Sequence, residues 1–430
     1  MLKNFIKIAW RNIIRHKANT AINITGLALG ITCCLFIFLW VQDEKSVDNF
    51  HRNGKDLFTV YETRTANGKA EGTYTTDIRV KPGQTGQNYI SCLLDDIKRA
   101  IPEVKYQSFY ATGYELPWGY PETLQVGEKK LKLEGSRASE DFFKMFSYPL
   151  ITGNPETALK DISGIAISRK LAEIFFGSPE KAMGKAIRYE NRMDFVVSAV
   201  FENVTAKSSM KFDFLFNWDA QKTKLEWASN DFRSYIQLSE TANIKNTEAR
   251  INQYLQPLLE KNEGVKTTFG LQRFGDQYLH AIFVNGKPTE GRIEYVKIFS
   301  GVAIFLLIIA CINFMNLTTA RSVKRAKEIG LRKVVGSTRA HLIGQFFSEA
   351  LLFAFLAMIL SVICLWLLLP AFNHFTGKQI ANPITHISFW VSLAGLVFIT
   401  GLIAGSYPAL YLSSLQPIRV LKGVIRFTQS

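Results

Sequence analysis

The sequence is poor in the residues from which enzymes and disulfide-stapled secreted scaffolds are built. Its five cysteines are Cys33, Cys34, Cys92, Cys311 and Cys364, and only Cys92 lies outside an apolar run. A soluble part with one cysteine has no partner for an internal disulfide. The six histidines, at 16, 51, 280, 341, 374 and 386, are scattered and give no metal-ligand spacing. No G-x-S-x-G elbow, no HExxH and no phosphate-binding GxxxxGK[ST] occurs. Asp95-Asp96 reads as a solvated helix face. The chain therefore offers no catalytic, cofactor-binding or metal-binding residue, and a non-catalytic protein is expected.

Apolar residues are abundant instead. A 47% hydrophobic content with a mean hydropathy of +0.06 lies between a soluble enzyme and a fully embedded transporter. Membrane spans plus a sizeable soluble part follow. The net charge of +15 invites a nucleic-acid reading, but its distribution argues against one. Fifteen of the 51 Lys and Arg fall in three short segments that flank apolar runs, and the remainder is nearly neutral. Basicity placed this way is a topology signal that marks cytoplasmic segments, so no nucleic-acid partner is expected.

Residues 1–19 place Leu2, Phe5, Ile6, Ala9 and Ile13 toward one side of a helix and Lys3, Lys7, Arg11 and Arg15 on the other. That pattern fits a helix lying in the membrane interface, with Trp10 as an anchor; a signal-peptide n-region is the alternative. The first span is expected over 20–42, uncleaved, with Gly26 and Gly30 forming a GxxxG. Residues 43–289 read as an external α+β domain with a seam near Gly264 or within 83–135. Strand-like runs fall at Leu57–Thr63, Thr73–Val80, Thr123–Val126, Lys130–Leu133, Gly164–Ser168 and Phe195–Phe201. Helix-like runs fall at Tyr89–Ala100, Glu140–Phe146, Arg169–Phe176 and Asn246–Glu260.

A stalk and second span occupy 290–320, where Asn313 and Asn316 suit either an interhelical hydrogen bond or an aqueous path. A third span over 347–369, a short external loop over 370–388, a fourth span over 389–411 and a basic tail over 412–430 complete the chain. Glu349, near the inner end of the third span, reads as an interfacial carboxylate or a proton relay. The fold class is thus four transmembrane α-helices with a large α+β extracytoplasmic domain between helices 1 and 2.

Between the second and third spans, residues 321–346 carry seven Lys or Arg against Glu328 and no other acid in the stretch 321–342. Charge this dense stays on the cytoplasmic side. A helix over Lys324–Val335 gathers Leu331, Val334 and Val335 and sets Arg325 and Arg332 on another side. Gly336 suits the left-handed residue past a helix end, and Ser337 or Thr338 can cap the next helix. The plain alternative is positive-inside charge with no partner. Amphipathic order and a glycine break exceed what charge retention requires, which favours a docking elbow.

Several stretches carry a resemblance: INITGLALGI with DEKSVDNFHRNGKDLFTVYE, SEDFFKMFSYPLITGNPETAL, ISRKLAEIFFG, RAKEIGLRKVVGSTR and GSYPALYLSSLQPIRVLKG. Together they cover nearly the whole chain, which resembles the FtsX/MacB-type permeases of ABC transporters in their Bacteroidota-like form. The resemblance implies a periplasmic core domain and a homodimer in the inner membrane, with both termini cytoplasmic. It also implies a separate cytoplasmic ATPase that binds ATP and Mg, and an adaptor or outer-membrane partner. Carried over residue by residue, ATPase coupling falls to Arg325, Glu328, Gly330, Arg332, Lys333 and Gly336. The implied work is mechanotransmission for efflux or export of a drug, peptide or lipoprotein. The alternatives are an FtsX-like regulator of an external cell-wall hydrolase and a membrane-anchored sensor. Many long family members carry two such units where this chain carries one.

Overall fold

The computed structural model describes residues 17–74, 78–80, 90–92, 97–112, 122–217, 233–258, 264–320, 331 and 333–414. Most of the interfacial helix expected over 1–19 and of the tail over 412–430 lies outside the described residues, as does Asp95-Asp96. The chain divides into a membrane unit, Met1–Asp43 with Val296–Ser430, and a second unit, Glu44–Tyr295.

The second unit is built on a mixed sheet. Its strands in the first half of the unit are β1 Leu57–Ala66, β2 Lys69–Thr73, β5 Val104–Thr112, β6 Glu122–Val126, β7 Lys129–Leu133, β8 Gly135–Ala138 and β9 Leu150–Thr152. The others are β10 Gly164–Ser168, β11 Ala186–Tyr189, β12 Met193–Phe201, β13 Phe214–Asn217, β14 Arg233–Leu238 and β15 Val265–Arg273. They run in the order β15-β1-β14-β5-β8-β13-β10-β12-β11-β6-β7, with β2 beside β1 and β9 beside β12. Among the described strands, only the β10–β12 and β8–β13 pairs are parallel. Two small hairpins stand apart, β3 Ile78–Val80 with β4 Ile90–Cys92, and β16 Ile282–Val284 with β17 Lys287–Glu290. One hydrogen-bonded sheet thus crosses the expected seam within 83–135. Of the helix expected over Tyr89–Ala100, Ile97–Ala100 is a single helical turn and Ile90–Cys92 is instead strand β4, paired with Ile78–Val80; the rest lies outside the described residues.

Local chemistry explains the elements. β10, an apolar run held between two neighbours, is buried along its whole length. Ser168 then ends the strand and starts the helix Arg169–Phe176, its hydroxyl accepting the Leu171 N–H. The stretch SEDFFKMFSYP becomes an aromatic hub. Asp141 precedes the turn Phe142–Met145 and takes ion pairs from Lys98 (2.5 Å) and Lys144 (3.1 Å). Phe142, with no exposed surface, has Phe146, Phe143 and Tyr148 at ring-centroid distances of 4.8, 5.4 and 5.7 Å. His51 joins it edge-on to Phe146, Tyr148 and Phe274, its Nδ1 accepting the Ser147 N–H.

The membrane unit holds four helices long and apolar enough to span a bilayer: Lys17–Lys45, Arg292–Ala320, Arg339–Thr376 and Ile387–Ser414. Beside a core of Leu, Ile and Phe, the closest helix approaches are made at small residues. A Cβ on Gly30 would lie 2.5 Å from the Cβ of Ala310, so the first and second helices touch backbone to backbone at the GxxxG. The Asn313 amide lies at the same contact, 3.3 Å from where a Gly26 Cβ would stand. Gly401 and Gly405 admit Leu351 and Ala350 of the third helix in the same way. Ser361 Oγ donates to Ala28 O (2.9 Å), joining the third helix to the first.

Two expectations need correcting. The third helix does not stop before a loop at 370; it passes through Pro370 and ends at Thr376, where the Gly377 and Lys378 N–H groups both donate to Asn373 O. Proline removes one helical donor, and the helix continues around it until glycine caps the end. Glu349 is not an interfacial carboxylate. At 7% exposure it lines a cavity of about 40 Å³ inside the bundle with Asn23, Thr318 and Pro408.

Candidate functional site

The elbow between the second and third membrane helices is described at Leu331 and from Lys333 onward. Leu331, Lys333 and Val334 are helical, and Val335 and Gly336 close the turn by donating to Leu331 O (3.0 Å) and Lys333 O (3.1 Å). Gly336 has φ +100°, and a Cβ there would meet nothing within 4 Å. Glycine is therefore required for its backbone conformation and not for space. Two residues on, Thr338 is extended and its hydroxyl accepts the His341 N–H, which starts the third helix.

Electrostatics tie this turn to the C-terminal part of the fourth membrane helix at the same end of the bundle. Lys333 Nζ donates to Ser413 O (2.7 Å), and Arg339 Nε reaches Ser413 Oγ (3.4 Å). Both cations thus meet Ser413, near the end of the described part of the fourth helix. Burial, and then the charge of Arg339, hold the Lys333 amine below its usual value. Ser413, which reading the sequence gave no reason to pick, is 1% exposed and anchors both side chains.

The elbow presents apolar surface. Leu331, Val334 and Val335 are 59%, 65% and 80% exposed. Three neighbouring aliphatic side chains thus stand open on a turn fastened by Lys333 and Gly336. Of the six coupling residues expected from the sequence, Lys333 and Gly336 stand here. The other four, Arg325, Glu328, Gly330 and Arg332, lie outside the described residues. On the opposite end of the bundle, Lys378 after the third helix pairs with Asp43 at the end of the first (3.0 Å).

The comparisons with known proteins bear on both units. A family model described as "MacB-like periplasmic core domain" matches residues 20–254, and one described as "FtsX-like permease C-terminal" matches residues 300–417. The macrolide export ATP-binding/permease protein MacB of Haemophilus ducreyi is 22% identical over 432 residues, covering 96% of this chain and 55% of that protein. The chain spans only a little over half the length of such curated relatives. Among solved structures, a domain of a putative permease from Porphyromonas gingivalis is 19% identical with a TM-score of 0.41, covering 52% of this chain and 92% of that one. The periplasmic region of MacB from Actinobacillus actinomycetemcomitans is 14% identical with a TM-score of 0.33, covering 50% and 89%.

Proposed function

The chain belongs to the FtsX/MacB-type permeases of ABC transporters, and from that premise we propose that its elbow is the surface on which a nucleotide-binding ATPase acts. The single observation carrying this reading is the exposed Leu331, Val334 and Val335 on a turn pinned by Gly336, Thr338 and the Lys333–Ser413 bond. A force-receiving part must be stiff and must offer a desolvating contact. The elbow meets both conditions, and it does so between two spans.

The ATPase is a separate cytoplasmic subunit that binds ATP and Mg. Two permease copies form the working unit in the inner membrane, with the N- and C-termini cytoplasmic and the large domain periplasmic. Uncovered apolar surface supports a second copy: in the second helix Ile298, Ile304, Phe305 and Ile309 are each at least 60% exposed. The second helix also supports mechanotransmission. Its 29 residues span about 43 Å at 1.5 Å per residue, against the roughly 30 Å of a hydrocarbon core. It begins within Glu44–Tyr295 and continues into the membrane unit, so displacement at one end reaches the other without substrate crossing the bilayer. The work done is efflux or export, aided by a periplasmic adaptor or outer-membrane partner.

Val335→Asp tests the assignment, because it places a carboxylate among the exposed aliphatic side chains without touching Gly336 or the Ser413 anchor. The variant should insert normally yet lose ATPase co-purification and nucleotide-dependent transport. Normal ATPase binding and normal transport in that variant would refute the reading.

A further inference from the structure

The chain leaves the head for the second membrane helix at Gly291, and the geometry there is not that of a linker. Gly291 has φ +141°, in the half of backbone space that residues with a side chain avoid. A Cβ at this position would lie 2.9 Å from Leu279 O and 3.0 Å from Ala281 N, so the backbone of 279–281 packs directly against it. The helix that follows is fastened to the same segment. The Ile293 N–H, one of the first amides of that helix and so without a carbonyl partner inside it, donates to Leu279 O (3.0 Å). The Arg292 guanidinium lies over the Tyr278 ring at 4.9 Å. The segment is itself anchored: His280 O accepts from the Tyr74 hydroxyl (3.0 Å) and from Gln272 Nε2 of β15 (3.0 Å).

Between Leu279 and Gly291 the chain forms the hairpin of β16 and β17, and this hairpin is keyed into the sheet. Asn285 and Gly286, both with positive φ, make its turn. Phe283 fills the notch left by Gly72 of β2, where any Cβ would strike its ring. Tyr61 and Tyr74 pack on the same ring at 5.8 and 4.8 Å. At the tip, Thr63 Oγ1 of β1 donates to Gly286 O (2.6 Å). The hairpin is thus tied to β1 and β2 at its tip and middle, and closed at its base by the Ile293–Leu279 hydrogen bond. A flexible linker in this place would let the helix tilt while the sheet stayed still. A hairpin fixed at three points carries the sheet with it.

We propose that the hairpin 282–290, with Gly291 as its positioning residue, is a rigid joint that makes the first turn of the second membrane helix, residues 292–295, part of the head. Displacement of that turn is then delivered to β1 and β2. The stiffness of the joint is a property of the head and does not depend on what the elbow binds; its use in transport rests on the ATPase reading given above.

The test is amide-resolved hydrogen–deuterium exchange on the full chain in lipid nanodiscs, first without nucleotide. The Ile293 amide should exchange about tenfold faster in Gly291→Ala than in the wild-type chain, because the added methyl group forces the Leu279 contact open. Gly68→Ala is the control. Gly68 also has positive φ (+76°), but a Cβ there would meet nothing within 4 Å, so Ile293 should keep its wild-type rate. Phe283→Ala, which empties the Gly72 notch, should raise exchange across 282–290 and leave β10 unchanged. Insertion of Gly-Ser-Gly-Ser after Gly291 keeps every side chain of the joint and frees only the helix, so it decides the matter if Gly291→Ala fails to fold. With the ATPase that co-purifies with the wild-type chain, ATP and vanadate should alter exchange in β1 and β2 of the wild type and not of the insertion variant, ATP hydrolysis persisting in both. Equal Ile293 exchange in the wild type and the joint variants, an equal gain in Gly68→Ala, or a β1 and β2 response that survives the insertion would overturn the proposal. A wild-type chain that co-purifies with no ATPase would refute the elbow reading instead, and the nucleotide-free rates still decide the joint.

Discussion

The two units of this chain are packed by different means. In Glu44–Tyr295 the largest core cluster is rich in aromatic rings, with Phe142, Phe146, Phe201, Phe212, Tyr235 and Phe274 buried together. In the membrane unit, Leu and Ile fill the core, but the closest helix approaches fall at Gly30, Ala310, Gly401 and Gly405. Water supplies the difference. In the head, removing large rings from solvent drives folding, so volume is favoured. Between spans the surrounding lipid is as apolar as the helices, so only close approach and interhelical hydrogen bonds distinguish association from separation. Loss of volume should therefore be the damaging change in the head, and gain of volume at the glycines the damaging change in the bundle.

The sharpest break of that comparison is Phe142→Ala, which opens a cavity at the centre of the hub. It should cost the head about 3–5 kcal/mol, read as a fall in the melting transition of Glu44–Tyr295. The bundle should keep its protease resistance in detergent. An unchanged head transition would contradict the hub's role.

Next in size is a pH effect confined to the head. Burial pushes the His51 imidazole down to about 4 from its ordinary 6.5. The folded head therefore prefers the neutral ring, and its stabilising effect is complete above pH 6.5. Below that the unfolded chain takes up the proton first, and stability falls as pH drops toward 4, by about 3 kcal/mol in all. Asp48 works in the opposite sense. Burial raises its carboxyl above the usual value, against the hydrogen bond from Ser209, so its contribution is lost as pH rises. His51→Phe should flatten the melting temperature between pH 6.5 and 4; an unaltered pH profile would show that the ring is not the titrating group.

In the bundle, adding volume should do the damage that removing it does in the head. Gly30→Val forces the first and second helices apart and should cost about 1–3 kcal/mol, seen as earlier loss of compact bundle mobility on denaturing gels. Retention of full bundle stability would mean the helices do not approach there. The smallest effect belongs to Ser361→Ala, which deletes the bond to Ala28 O and should cost about 0.6 kcal/mol in the bundle and nothing in the head.

How much of this was readable from the residues follows the same physics. The spans announce themselves by length, and the helix Arg169–Phe176 by its serine cap and periodicity; β10 by its apolar run. β8, GSRA, is buried throughout yet half polar, so no alternation marks it as a strand. Its Arg137 is held by Glu122 and Tyr189, partners distant in sequence and invisible to any local pattern. At the elbow, Gly336 and the Thr338 cap were legible because each is a local rule. Lys333 looked like one more docking cation, and its bond to Ser413, 80 residues away, could be seen only in three dimensions. The exposed state of Leu331, Val334 and Val335 was equally hidden, since an apolar cluster reads as core until its surroundings are known.

The most direct test of the central claim is site-specific photo-cross-linking from Val335 in intact membranes, with the product identified by mass spectrometry. The account requires a cross-link to a nucleotide-binding ATPase carrying GxxxxGK[ST], dependent on Gly336. Cross-links to lipid alone, or labelling of Val335 from the same side of the membrane as Tyr106, would contradict it.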